Sequence, residues 1–282
     1  VEIDNDKKIS DFNNRGIRFL CTKRNKLSYK GSFVSVGDFV LLDAIDWKNY
    51  TAVITSIKPR KSFINRPSLS NFNHIFVVFS LEKPKFERNQ ANRFLLKAEE
   101  TGQKITLIIT KSDLVDDQLL FDSINRFREW GYEAIPTSVV SGYGIDKFLK
   151  KLEHINLGFL CGPSGVGKSS LVKYLFPKRR ISIGALSKKV DKGKHTTRHV
   201  ELFSLSNGRF LADTPGFSQP EFIFNTDTLP GLFPELRFQL ESNRCRFRNC
   251  LHLDEPGCSI VKDWERYEDY KNLMGNSIIS SH

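Results

Sequence analysis

The sequence predicts a multidomain protein with a small N-terminal β-barrel, a central α/β unit and a short C-terminal unit that contains helices and a metal site. Short β-like runs separated by Gly, Asn and Lys occupy residues 15–59. Apolar strand-like runs then alternate with helix-like segments over 71–226, which is typical of a parallel sheet covered by helices. A compact Cys/His cluster follows. We expect domains with the boundaries 1–65, 70–226 and 227–282.

The composition excludes several protein classes. The chain has 282 residues, of which 39% are hydrophobic and 27% charged, as in ordinary soluble proteins. No apolar run approaches the roughly 20 residues of a membrane span. Five cysteines are too few for a disulfide scaffold and favour a reducing, intracellular compartment. The first ten residues are too polar for a secretory signal, and because the chain begins at Val1 we expect the natural N-terminus to lie upstream.

Basic charge is concentrated in two parts of the chain. Residues 1–61 contain twelve basic against seven acidic side chains. The formal net charge is +11, and residues 178–198 contain eight Lys or Arg against one acid, Asp191. Such a distribution favours a polyanionic partner. A basic enzyme from a Lys-rich proteome is the alternative interpretation.

The N-terminal segment has β-like runs at 17–20, 38–42 and 51–57. Closely spaced short strands with little helix predict a small barrel such as an OB-fold, which often binds nucleic acid. A barrel that serves packing alone remains an alternative. Several aromatic residues of this segment fit either a core or a base-stacking surface: Phe33, Phe39, Trp47 and Tyr50.

The central segment alternates between the two kinds of secondary structure. Its predicted strands cover 75–79, 105–109, 133–136, 155–160, 200–204 and 209–212. Its predicted helices cover 89–100, 119–130, 145–152 and 168–175. An amphipathic helix is predicted near 261–273 in the tail.

A phosphate-binding loop follows the apolar run 155–160. The segment fits G-x-x-x-x-G-K-[ST], whose glycines let successive N–H groups face a phosphate at the start of a helix. Lys168 is expected to reach the β- and γ-phosphates and Ser169 to ligate Mg²⁺. The predicted contact residues are Gly162, Pro163, Ser164, Gly165, Val166, Gly167, Lys168, Ser169 and Ser170.

A second motif predicts which base is bound. The residues Thr110, Lys111, Ser112 and Asp113 follow the strand 105–109 and resemble the [NT]-K-x-D motif that reads guanine. The Asp113 carboxylate can accept from both N1–H and the exocyclic amine of guanine, and adenine offers no such donor pair. Thr137 and Ser138 resemble the companion loop that contacts guanine O6. Each motif alone fits a solvated turn, but together they predict guanine binding.

Two further segments fit the γ-phosphate side of such a site. Asp213 begins a D-x-x-G pattern that ends at Gly216, predicted to contact Mg²⁺ through water and the γ-phosphate through N–H. A bare D-x-x-G is otherwise a common turn. Between the two motifs, Thr196 or Thr197 can supply the hydroxyl that Mg²⁺ needs, and we favour Thr197.

The predicted chemistry is hydrolysis by a positioned water in a field of fixed charges. Phe217 occupies the position after the D-x-x-G glycine, where many GTPases have a water-orienting Gln, so intrinsic turnover is predicted to be slow. His195 is the candidate catalytic residue, supported by Lys168 and Thr197. A solvated or RNA-contacting role for His195 is the alternative.

A metal site is predicted near the C-terminus. Cys245, Cys250, His252 and Cys258 provide three thiolates and one imidazole at compact spacing. Four such ligands make a closed tetrahedral site, so we expect one structural Zn²⁺ rather than a catalytic one. Unrelated free cysteines are the alternative.

The motif order identifies a family. The guanine motif at 110 and its companion at 138 precede the phosphate loop at 162, the reverse of the usual order, so the sheet is circularly permuted. With segments 193–199 and 213–216, the zinc pattern, Pro59–Ser62 and Val77–Ser80, this order resembles the circularly permuted, ribosome-small-subunit-dependent GTPases of the RsgA/YjeQ family. The resemblance extends from Gly37 to Cys258, although the first barrel strand departs from the pattern.

The resemblance implies an OB-fold, a GTPase and a zinc domain that together grip the small ribosomal subunit and its rRNA. Members act late in assembly of that subunit, which stimulates their hydrolysis of GTP to GDP. We expect a monomer that binds no membrane and resides in the cytoplasm, or in an organelle matrix or stroma if the source has organellar ribosomes. A GTPase of tRNA modification or of membrane-linked signalling, and a non-catalytic RNA-binding module that senses GTP, are the rival hypotheses.

Overall fold

A computed structural model describes residues 17–24, 33–65, 67–177, 200–214 and 225–280. The strands are β1 Leu20–Lys23, β2 Val40–Asp46, β3 Thr51–Ile57, β4 Phe63–Ile64, β5 Leu69–Ser70, β6 His74–Ser80, β7 Lys104–Thr110, β8 Glu133–Pro136, β9 Leu157–Cys161, β10 Glu201–Ser204 and β11 Phe210–Asp213. The helices are α1 Arg88–Glu99, α2 Asp117–Glu129, α3 Ile145–Leu152, α4 Lys168–Leu175, α5 Pro234–Ser242 and α6 Tyr267–Ser280. Two short 3₁₀ turns cover Ser112–Leu114 and Leu229–Leu232.

The N-terminal part forms a three-stranded sheet in the order β1-β3-β2. β1 is parallel to β3, and β2 is antiparallel to it with two register shifts. A closed barrel requires every strand edge to be paired. Among the described residues, β1 and β2 each have one edge without a partner strand, so the predicted OB barrel is not confirmed.

The central unit contains a six-stranded sheet in the order β10-β11-β9-β6-β7-β8. All its neighbouring strands are parallel except the pair β10 and β11. Every residue of β6 and of β9 is buried. Strands covered on both faces read as continuous apolar runs, which is why the sequence shows no alternation there.

Helices cover both faces of this sheet. On one face, Phe94 of α1 and Phe127 of α2 belong to the largest buried cluster. On the other, Phe148 of α3 and Leu171 of α4 pack on β6 and β9. The two clusters put α3 and α4 on the opposite side of the sheet from α1 and α2.

The C-terminal unit packs against the helix layer of α1 and α2. Leu96 of α1 shares a buried cluster with Phe233, Tyr270 and Met274. The predicted helix near 261–273 begins later, at Tyr267. The residues before Tyr267 form a loop that places Arg266 between the C-terminal unit and α1. Helical periodicity therefore did not predict where this helix begins.

None of the helices among the described residues is both long enough and apolar enough to cross a membrane.

Candidate functional site

The predicted nucleotide motifs lie at one edge of the central sheet. β6, β7, β8, β9 and β11 are mutually parallel, so the loops that follow them leave from the same edge. Ligands of open α/β sheets bind in the crevice outside this edge. The tertiary structure therefore brings together segments that are up to a hundred residues apart in the chain.

The loop between β9 and α4 has a backbone that requires glycine. Gly162 has φ of 139°, and a Cβ placed there would lie 2.2 Å from the carbonyl oxygen of Val78. Gly165 and Gly167 have φ of 80° and 97°, which side chains disfavour. α4 begins directly after Gly167, so its unpaired N–H groups face the end of the loop. This arrangement is suited to an anion.

Lys168 is folded back onto this loop. Its Nζ donates to the carbonyl oxygens of Gly162 at 2.7 Å and Pro163 at 2.6 Å. Burial lowers the pKa of Lys168 below its usual value, and the negative charge of Asp213 opposes that shift. Lys168 is thus a partly buried donor whose present partners are two neutral carbonyls.

Side chains of the guanine motif contact the phosphate loop directly. Thr110 Oγ1 lies 3.0 Å from the carbonyl oxygen of Phe79 and also bonds the carbonyl of Val166. Lys111 has φ of 56°, and its Nζ donates to the carbonyl oxygen of Gly165 at 2.7 Å. The two motifs, about fifty residues apart in sequence, thereby form one structural unit.

The companion loop is held by backbone hydrogen bonds. Thr137 N–H donates to Ile109 O at 2.7 Å, and Ser112 N–H donates to Thr137 O at 3.2 Å. Ser138 Oγ accepts from the N–H groups of Val140 and Ser141, each at 3.2 Å. The side chains of Ser112, Thr137 and Ser138 are buried, and Asp113 is exposed. Of these residues, Asp113 presents its side chain to solvent beside the loop.

The structure describes some of the residues that are predicted to bind magnesium. Ser169 and Ser170 are exposed in the first turn of α4, and Asp213 ends β11 opposite Leu160 of β9. Thr214 is fully buried, and its Oγ1 donates to Leu160 O at 2.7 Å. Thr214 had no predicted role, although its hydroxyl directly after the motif aspartate is visible in the sequence.

The remaining predicted residues of this site lie outside the described residues: His195, Thr196, Thr197, Gly216 and Phe217.

The four predicted zinc ligands come together. The Sγ atoms of Cys245, Cys250 and Cys258 and a ring nitrogen of His252 all lie within 4.8 Å of one another. Cys245 Sγ is 4.0 Å from Cys258 Sγ and 3.4 Å from His252 Nδ1. Zn–S bonds of about 2.3 Å in a tetrahedron put sulfur atoms about 3.8 Å apart, so the donor set and its spacing fit zinc.

Residues around this cluster orient its loops. Glu255 accepts the N–H groups of Leu251 and Leu253, both at 2.8 Å, and Cys250 Sγ donates to it at 3.6 Å. Burial raises the pKa of Cys250 to about 12. Burial also acts to raise the pKa of Cys245, but hydrogen bonds, chiefly from Ser259, lower it overall. Such second-layer contacts are typical of metal centres.

Comparison with known proteins agrees with these observations. A family model described as RsgA GTPase matches residues 57–223. The Small ribosomal subunit biogenesis GTPase RsgA of one strain of Prochlorococcus marinus is 54% identical over 276 residues, which cover 98% of this chain and 88% of that protein. The protein of the same name from Parasynechococcus marenigrum is 44% identical over 257 residues, 91% of this chain and 86% of that protein.

Two solved structures resemble this one. YjeQ from Thermotoga maritima superimposes with a TM-score of 0.76 at 25% identity, covering 93% of this chain and 91% of that chain. YloQ, a circularly permuted GTPase, gives a TM-score of 0.73 at 30% identity, covering 96% of this chain and 89% of that chain. Strands β7 and β8, with the guanine loops, precede β9 and its phosphate loop in the chain, yet all three open at one edge. The chain therefore belongs to the RsgA GTPase family and is a GTP hydrolase whose motifs are circularly permuted.

Proposed function

We propose that this GTPase assists late maturation of the small ribosomal subunit, and that the bound subunit stimulates its hydrolysis of GTP to GDP and phosphate. The hydrolysis of GTP in this proposal rests on one observation. Thr110 and Lys111 of the guanine motif form hydrogen bonds to the phosphate loop. Relatives named for small-subunit biogenesis align with 98% of the chain, which supports the choice of partner. The net charge of +11 suits an rRNA surface.

The exposed Asp113 carboxylate accepts hydrogen bonds from guanine N1–H and its amino group in this proposal. Lys111 lies along the base, and the loop at Thr137 and Ser138 contacts O6 through its backbone, since the two side chains are buried. Residues 162–170 hold the phosphates. Lys168 exchanges its bonds to the carbonyls of Gly162 and Pro163 for the β- and γ-phosphates, a stronger charge-assisted contact.

Ser169 and Thr197 hold Mg²⁺ directly in our proposal, with Asp213 contacting it through water. The ion offsets negative charge that develops on the phosphates. Thr196 lines the same loop, and the Gly216 N–H donates to the γ-phosphate. His195 orients the attacking water because Phe217 cannot, while Lys168 and Thr197 stabilise the charge.

The cysteine–histidine cluster holds one structural Zn²⁺ in this proposal, because its four donors leave no open position for chemistry. We assign residues 1–65 to an OB-type rRNA-binding domain, 70–226 to the GTPase and 227–282 to the zinc domain. The protein acts as a monomer in the compartment that contains the ribosomes, the cytoplasm in a bacterium.

The decisive experiment measures GTP hydrolysis with and without purified small ribosomal subunits at several salt concentrations. A large stimulation that declines with salt supports the proposal, since phosphate contacts weaken as salt rises. Tight GTP binding without any stimulation would contradict it. His195→Ala is expected to abolish stimulated turnover and preserve GTP affinity. Unchanged stimulated turnover would remove the assignment of His195.

A further inference from the structure

One face of α3 is basic. Lys147, Lys150 and Lys151 are spaced i, i+3 and i+4, which puts them on a single helical stripe, and His154 follows the end of the helix. Three of them are exposed, and Lys151 is partly buried. The opposite face of α3 is buried under β6 and β8 through Phe148 and Leu152. The helix is therefore fixed to the sheet and presents its cations outward.

This stripe borders an open cleft of about 360 Å³ against the edge strand β8. The cleft is lined by residues 133–136 of β8, by the three lysines of α3 and by His154. β8 has no strand on its outer side in the described sheet, so the cleft opens directly to solvent. Ala134, Ile135 and Pro136 are the apolar residues of this lining.

Three acidic side chains lie beside this stripe, and one of them is paired with it. Glu133 forms an ion pair with Lys151 and is thus already engaged. Asp146 and Glu153 are the acids on the helix and its C-terminal end. Within the described part of the chain, neither Lys147 nor Lys150 has an ion-pair partner. Two lysines thus remain available for an external anion.

The pKa of a neighbouring histidine is lowered by the same positive charges. His74, at the amino end of β6, bonds Thr106 Oγ1 at 2.9 Å and stacks on Phe76. Burial lowers the pKa of His74 to about 4, with Lys151 and Lys104 lowering it further and Glu133 opposing them. The basic region therefore extends from α3 to the amino edge of the sheet at Lys104.

We propose that the basic stripe of α3 and the cleft beside it dock on the phosphate backbone of RNA in the small ribosomal subunit. The inference rests on the proposed function and adds an interaction surface within the GTPase unit. At about 1.5 Å per residue the three lysines of α3 span about 6 Å along the helix. That length is close to the separation of neighbouring phosphates on one strand, so Lys147 and Lys150 can contact adjacent phosphates. A protein partner would require large apolar anchors, and this face offers Leu149 alone among the described large apolar residues of α3.

The position of α3 connects this surface to the guanine site. α3 begins after Gly144, where a Cβ would lie 1.9 Å from Pro136 O. The loop before Gly144 is the companion loop, in which Ser138 N–H donates to Tyr143 O at 3.0 Å. RNA held on α3 therefore rests on the same rigid segment that faces the base.

The test compares small-subunit binding by the wild type with that by the double variant Lys147→Glu/Lys150→Glu. Binding is measured by sedimentation or fluorescence over a salt series with the full chain and a non-hydrolysable GTP analogue. The control is Arg128→Glu/Lys173→Glu, which makes the same charge change at exposed positions of α2 and α4 in the same unit. GTP affinity and the thermal unfolding midpoint, measured without subunits, check that both variants fold.

We expect the double variant to bind at least tenfold more weakly, with a salt slope reduced by about 1.5 for two lost phosphate contacts. The control is expected to change affinity less than threefold. Equal affinities for the wild type and the double variant would overturn the inference and leave the proposed function intact. Absence of wild-type binding would instead contradict the proposed function.

A photo-crosslinker at position 147 identifies the class of partner. Crosslinks to rRNA support the inference. Crosslinks confined to ribosomal proteins would overturn it, because the partner would then be an acidic protein surface rather than a phosphate backbone.

Discussion

Gly162 is a position where the backbone tolerates no side chain. Its φ is 139°, and an added Cβ would lie 2.2 Å from Val78 O, in the strand beside the loop. Gly102 also has positive φ, 65°, but nothing lies within 4 Å of its added Cβ. A side chain at Gly102 would thus cost only the strained backbone conformation. A side chain at Gly162 would add the cost of a steric clash.

We predict that Gly162→Ala lowers the free energy of unfolding by about 3 kcal/mol, because strand and loop must separate. GTP binding should be lost at the same time. Gly102→Ala should cost about 1 kcal/mol, from the left-handed conformation alone, and preserve GTP binding. Urea unfolding and nucleotide titration measure both effects. Equal destabilisation by the two substitutions would contradict the argument from the clash.

Asp113 is exposed on its 3₁₀ turn, and the neighbouring Ser112 is buried. We predict that Asp113→Ala weakens GTP binding by roughly 10- to 100-fold, because it removes the acceptor of two guanine donors. The affinity for ATP, which we expect to be low in the wild type, should not change. Asp117→Ala, an exposed acid in the first turn of α2, is the matched control. Calorimetric titration with GTP and with ATP measures both affinities. An equal loss of GTP and ATP affinity would refute base recognition by Asp113.

At the scale of elements, a buried polar contact joins the C-terminal unit to α1. Arg266 has no exposed surface, and its Nε donates to Glu235 Oε1 at 2.7 Å. Its Nη1 reaches Asn92 Oδ1 of α1 at 3.3 Å, and its guanidinium lies 4.8 Å from the Trp130 ring centroid. Asn92 also donates to Asp269 at 2.8 Å. These contacts fix the C-terminal unit on the face opposite to α3.

We predict that Arg266→Ala destabilises the protein by about 3–5 kcal/mol, because Glu235 is left buried without its partner. The double variant Arg266→Met/Glu235→Gln should recover most of that loss. Lys262→Ala, which removes an exposed pair with Asp254, should leave the unfolding midpoint nearly unchanged. Denaturant unfolding of the full chain provides the comparison. A double variant as unstable as Arg266→Ala would show that the charge pair is not the cause.

At the scale of the whole molecule, the cysteine–histidine cluster and the nucleotide site are joined in sequence through residues 215–224. Because the C-terminal unit follows the D-x-x-G motif in the chain, we expect GTP hydrolysis beside Asp213 to move that unit. The C-terminal unit also packs on α1 through the cluster that contains Leu96. Any such movement must therefore involve α1 or break the Arg266 contacts.

We predict one zinc per chain, measured by elemental analysis of the purified protein. Cys250→Ser should abolish zinc binding and lower the thermal midpoint, because the metal holds together the loops that carry its four ligands. Cys21→Ser, which changes a cysteine outside the cluster, should retain the metal. A wild-type protein without zinc would contradict the assignment.

Much of the central unit was predictable from local signals. The helices 145–152 and 168–175 and the strand 133–136 have the predicted bounds. β9 begins two residues later than expected and extends to Cys161, because burial of a strand on both faces removes the alternation that marks its ends. Local signals predicted the strand 51–57 but not how the N-terminal strands pair, since barrel closure depends on pairing between distant strands.

By itself the sequence determined the guanine and phosphate motifs, their permuted order and the composition of the metal cluster, because each depends on residue types at short spacing. The tertiary structure alone decided that Thr110 and Lys111 bond the phosphate loop, that Thr214 ties the end of β11 to Leu160, and that Arg266 is buried beside Asn92. It also placed the basic stripe of α3 beside an open sheet edge. These contacts join residues distant in the chain, and short-range residue patterns carry no information about such distances.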